Sequence, residues 1–193
     1  PELLFAGTEF GLYFTPDGGE RWIQLKGGLP VIAVRDLEIQ RRENDLVCAS
    51  FGRGFFVLDD YTPLRALSEK ALAERGILFP VKKTLIYTPT RRMGGRRKGS
   101  QGDAYYTAPN PPFGAVFTYW LKEVPKSLKA KRKAEEKKQW KKDGKVDYPT
   151  WAALRAEERE QKPVLIFTIT DHNGRVVRRL ETAAAKGLRR TTW

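Results

Sequence analysis

Two short stretches carry the residue types from which a site would be built. In T-P-D-G-G-E-R-W, residues 15–22, the carboxylate of Asp17 stands in a glycine turn shortly before the indole of Trp22. A carboxylate beside a ring is a pairing that grips or hydrolyses a sugar. The same residues also make a turn in which the Asp side chain accepts main-chain N–H groups. In S-F-G-R-G-F-F, residues 50–56, Arg53 lies between two glycines that let the chain turn tightly, so its guanidinium is a candidate ligand for a carboxylate or phosphate. Asp36, Asp59 and Asp60 are the acids that would otherwise pair with it.

Other chemistries lack their parts. The chain has one Cys and one His, which excludes an internal disulfide and makes a Cys/His zinc cluster implausible. His172 sits in D-H-N-G, where a solvated turn residue is expected, and one imidazole without convergent partners makes no base. Asp171 and Asn173 have the spacing of a calcium loop without the closing acid. Cys48, on an apolar strand, reads as a buried thiol. No metal, cofactor or catalytic residue is assigned.

The formal charge is +13, which brings nucleic acid, acidic polymers and anionic membranes into consideration. The positive charge gathers in R-R-M-G-G-R-R-K (91–98) and in a Lys- and Glu-rich stretch, 127–144, where Trp140 is the one aromatic residue and Glu135 and Glu136 dilute the face. That pattern reads as a solvated insertion; specific nucleic-acid binding is not expected. No apolar run is long enough to span a bilayer.

The elements that must position these residues repeat. Residues 3–17 align with residues 46–60 at an offset of 43, placing Ala6 on Ala49, Gly11 on Gly54, Tyr13 on Phe56 and Asp17 on Asp60. Each copy reads as strand, glycine turn, aromatic strand and Asp-bearing turn. With R-W-I-Q-L (21–25) and V-R-D-L-E-I-Q (34–40) there are about four short strands in roughly 40 residues, the size of one propeller blade. A short helix is predicted from Ser68, its N-cap, to Arg75, with Gly76 as its stop, then extended segments and a basic glycine-rich linker over 91–103. Strands follow at 113–121, 163–170 and 175–180, the last two joined through Asn173-Gly174, and a fourth begins near Leu188. They suggest a small sandwich. Two capped helices, 127–144 after Ser127 and 150–161 after Thr150, form an α-hairpin between the first two strands.

The stretch 15–22 fits Ser/Thr-x-Asp-x-Gly-x-x-Trp and resembles the Asp-box of the neuraminidase-type (BNR) repeat propellers, a group that includes sortilin-type receptors and several glycosidases. With S-F-G-R-G-F-F-V-L-D-D one period later and N-P-P-F-G-A-V-F-T-Y beyond, the chain looks like the C-terminal part of the bacterial sortilin-like or glycosyl-hydrolase-like propeller proteins. The later strands resemble immunoglobulin-like modules that cap secreted bacterial enzymes. The resemblance implies a mainly β protein: propeller blade material over 1–65, a linker over 66–104, and an immunoglobulin-like sandwich over 105–193 with a helical insertion at 122–162. It also implies a structural Asp-box made by Thr15, Asp17, Gly19 and Trp22, in which Asp17 accepts N–H groups of its own turn and Trp22 packs on it. The implied partners are the other blades of a longer parent and a peptide or glycan ligand; the implied location is extracytoplasmic. The expected role is non-catalytic, the alternative being a glycosidase whose carboxylates lie on other blades. A lone blade lacks neighbours, so the strands around 113–121 and 163–180 are expected to be the better protected ones.

Overall fold

The computed structural model describes residues 2–88 and 108–193; the basic glycine-rich stretch 91–103 lies outside the described residues. The protein is mainly β, built from several small antiparallel sheets and few helices, with no closed barrel among the described residues. The chain divides into two compact units, residues 1–119 with 190–193, and residues 120–189.

In the first unit, β1 (Leu4–Thr8), β2 (Gly11–Thr15) and β3 (Ile23–Gln24) form one meander, and β4 (Val34–Gln40), β5 (Asp45–Ser50) and β6 (Gly54–Leu58) a second. The sequence predicts about four short strands to a blade; residues 4–58 form two three-stranded sheets. The break falls in G-G-L-P, where two glycines and a proline without an N–H interrupt the ladder, and β4 pairs forward with β5. The 43-residue repeat maps β1 onto β5 and β2 onto β6, but the pairing is not identical. Thr8 faces Gly11 across a two-residue loop, whereas Ser50 faces Gly54 across the three-residue loop Phe51-Gly52-Arg53. One residue of loop shifts every cross-strand pair of the second hairpin by one position.

The core lies in this unit. Leu3, Leu12, Phe14, Val34, Leu46, Cys48, Tyr61 and Leu64 form one buried cluster. β2 and β5 are the central strands of their sheets, and both point large side chains into it. The sheets approach closely where a Cβ on Gly7 would lie 2.6 Å from Val34 Cγ1. Tyr61 is the N-cap of α1 (Thr62–Arg65), a turn of helix with Pro63 in its first turn, and Leu64 lies on it. Then come α2 (Glu69–Ala73), capped by the Ser68 hydroxyl accepting the Ala71 N–H, and β7 (Gly76–Leu78). β8 (Val116–Leu121) stands between β7 and the last strand in a third sheet and buries Phe117 and Tyr119.

The second unit holds α3 (Leu128–Asp143), α4 (Trp151–Arg159), and the hairpin β9 (Val164–Thr170) with β10 (Val176–Ala183); β11 (Gly187–Thr192) closes the element order. Ser127 and Thr150 cap the two helices and Gly144 ends α3 in the left-handed conformation. The turn between β9 and β10 is held by Asp171 Oδ1, which accepts the N–H groups of Asn173 and Arg175. No residue from Trp120 to Arg189 is buried. Of the strands expected to be better protected, the one at 113–121 buries Phe117 and Tyr119, whereas β9 and β10 form a two-stranded sheet among the described residues and neither face carries a buried residue.

Candidate functional site

Thr15, Asp17 and Gly19 come together in the connection from β2 to β3. Thr15, fully buried, donates its hydroxyl to Asp17 Oδ1 at 2.5 Å and accepts the N–H groups of Gly19 at 3.0 Å and Asp17 at 3.3 Å. Asp17 Oδ1 also accepts the Arg21 N–H at 3.0 Å, and Gly18 N–H reaches back to the Glu2 carbonyl at 2.7 Å. Gly19 has φ of 114°, a conformation side chains resist. The Thr15 hydroxyl, then the Arg21 N–H, hold the Asp17 carboxyl below its ordinary range. A carboxylate so engaged is committed to its turn. Trp22 leaves nearly half its surface in water.

Arg53 sits exposed at the β5–β6 loop, and no ion pair joins it to an acid among the described residues. Asp59 and Asp60 follow the far end of the same hairpin, five paired positions away, about 17 Å along the strands. The structure does not bring Arg53 to those acids.

It does build a cleft at that far end, of about 900 Å³, where the segments 42–45, 59–60, 82–87, 111–116 and 190–192 meet within the first unit. Among the described residues, four acids (Glu43, Asp45, Asp59, Asp60) and four bases (Arg42, Lys82, Lys83, Arg190) line it, and their formal charges balance. Most are already engaged. Lys82 donates to both the carboxylate and the carbonyl of Glu43, and Arg42 Nε lies 3.1 Å from the same carboxylate; the Lys82 hydrogen bond leads in holding Glu43 below the usual carboxylate range. Arg190 spends its guanidinium on the carbonyls of Asp59 and Asp60, each at 2.6 Å. Asp60, at φ 44°, accepts the hydroxyl and N–H of Thr62, and its own N–H goes to Asp45 Oδ1 at 2.8 Å.

The Asp59 carboxylate accepts no hydrogen bond among the described residues. Burial first, then the charge of Asp45, push it above its ordinary value against the opposing pull of Arg190 and Lys82. On the apolar side Tyr87 and Phe113 meet edge to face, centroids 5.0 Å apart, each with half or more of its surface exposed. This arrangement offers a ring platform, a carboxylate that accepts no hydrogen bond among the described residues, and Lys83, in no ion pair among them, as a donor.

From the sequence, Asp59 is a partner for Arg53 and, with Asp36 and Asp60, one of the acids on the blades. The signal that singles it out is in the repeat, where Asp60 corresponds to Asp17 but Asp59 falls on Pro16. Among the described residues no group of three or more His, Cys, Asp or Glu side chains is arranged to hold a metal ion, and no helix is long and apolar enough to cross a membrane. No protein-family model, curated protein or solved structure matches the chain.

Proposed function

We propose that the chain is a non-catalytic binding segment of an extracytoplasmic Asp-box propeller protein. Residues 1–65 would contribute blade material and residues 105–193 an immunoglobulin-like module, with the other blades of a longer parent as partners. The ligand is a glycan taken by the cleft at the far end of β5–β6. The observation that carries the ligand reading is the pairing of Tyr87 and Phe113 with the unengaged Asp59 in a charge-balanced cleft. A neutral polyhydroxylated ligand presents C–H faces to rings and hydroxyls to a carboxylate, and it gains nothing from net charge. A charged peptide fits a balanced lining less well. Arg53, at the opposite end of the hairpin, is a separate exposed contact for an acidic group.

The test is calorimetric titration of the 193-residue chain with neutral oligosaccharides, with Tyr87→Ala and Asp59→Asn as variants. Binding lost in both variants supports the reading; binding unchanged in both refutes it. The alternative of a glycosidase is favoured by one feature, the closeness of Asp59, which accepts no hydrogen bond among the described residues and is pushed up by burial, to Asp45, which accepts the Asp60 N–H, since two carboxyl groups in unlike environments are what glycosidases use. Turnover of an aryl glycoside that stops in Asp59→Asn would select it.

A further inference from the structure

We propose that the free end of the α3–α4 hairpin is a docking surface for an anionic membrane. The two ends of this hairpin differ in kind. At the end joined to the strands, Arg132 donates to Glu157 from Nε at 2.5 Å and Nη2 at 2.9 Å, and to Glu136 from Nη1 at 2.5 Å, while Glu160 accepts the Leu128 N–H at 2.8 Å. The bonds to Glu157 and Glu160 run from the first half of α3 to the end of α4, so the helices are antiparallel and the connection 144–150 lies at the other end. There, the last turn of α3, the connection and the start of α4 carry Trp140, Tyr148 and Trp151 in turn, exposed by 63, 80 and 72%.

Lys137, Lys138, Lys141, Lys142 and Lys145 are interleaved with them, all exposed, and none is in an ion pair among the described residues. Asp143 and Asp147 are the only acids between 137 and 151. Neither helix has a buried residue, so nothing in the fold requires three large rings at this point.

Exposed Trp and Tyr interleaved with lysines match the lipid–water interface on both counts. The rings settle at headgroup level, and the lysine stems extend their ammonium groups to lipid phosphates. A single-stranded nucleic acid shares the phosphate chemistry but asks for a groove along which successive bases stack. The end of a two-helix arm offers a point, and a lipid surface accepts one.

The experiment is co-sedimentation of the whole chain with vesicles of phosphatidylcholine alone and with added phosphatidylglycerol. The chain should pellet with the anionic vesicles and be released by salt. Lys141→Gln/Lys142→Gln/Lys145→Gln should weaken binding roughly a hundredfold, and Trp140→Ser/Tyr148→Ser/Trp151→Ser should abolish it with helix content unchanged. On foldable, milder ground, brominated lipid should quench tryptophan emission of the native chain and quench it less in Trp140→Phe/Trp151→Phe. Equal pelleting with neutral and anionic vesicles, no pelleting, or aromatic-dependent binding to single-stranded DNA without vesicle binding would each overturn the proposal.

Discussion

The strands β5 and β9 invite comparison because the more apolar of the two is the less buried. D-L-V-C-A-S places Leu46 and Cys48 in the core at 1 and 2% exposure. V-L-I-F-T-I-T, a richer run, leaves Val164 and Ile166 more than half exposed, and its inward residues Leu165, Phe167 and Ile169 are only half-buried. What separates them is what stands opposite. β5 is paired on both sides, and its inner face meets β2 and the Tyr61–Leu64 turn; β9 has one strand neighbour. Apolar content makes a strand available for burial, and a facing layer decides whether burial happens.

Several substitutions sharpen this contrast. The largest effect is expected from Leu46→Ala, which should cost about 2–5 kcal/mol in denaturant titrations, against less than about 0.5 kcal/mol for Ile166→Ala on the exposed face of β9. Equal losses would mean that both hairpins belong to one core. Next is Thr15→Val. It keeps the shape but removes the donor to Asp17 and the acceptor for Gly19 N–H, and should cost about 1–3 kcal/mol in the same titrations. A neutral outcome would show that the β2–β3 turn needs no hydroxyl.

The smallest effects are pH-dependent and opposite in sign at the two repeat-related turns. Asp17 has a lowered pKa when folded. Its stabilisation is present above the ordinary value of 3.8 and is lost as pH falls through the lower folded value. Asp17→Asn should therefore lower Tm at neutral pH, by an amount that shrinks on acidification. Asp59 has a raised pKa, so its contribution is most favourable below 3.8 and is lost as pH rises through the folded value. Asp59→Asn should raise Tm slightly at neutral pH and leave it unchanged in acid. Thermal melts of both variants across pH check the pair.

Local chemistry was legible in the sequence. The β4 segment, the caps Ser68, Ser127 and Thr150, the Gly144 stop and the Asn173-Gly174 turn depend on residues within a few positions of one another, and the structure has each of them. The mainly β class was legible for the same reason. The one-residue slip between the repeated hairpins was not, because Gly11 and Gly54 align while the loops before them differ in length. Nor was α1, four residues long, its one cue being Pro63. The cleft was the least accessible of all. Asp59, Lys82, Tyr87, Phe113 and Arg190 converge from across most of the chain, and nothing local marks that meeting.

The central claim is that the core of this chain is the one built by the two repeat-related hairpins, with β2 and β5 at its centre. Amide hydrogen exchange on the full chain tests it most directly, because exchange from a central strand requires opening the core, whereas a two-stranded ribbon opens locally. The slowest amides should lie in β2 and β5, between Gly11 and Thr15 and between Asp45 and Ser50, with β9 and β10 exchanging well before them. Amides of β9 and β10 that outlast those of β2 and β5 would contradict the account.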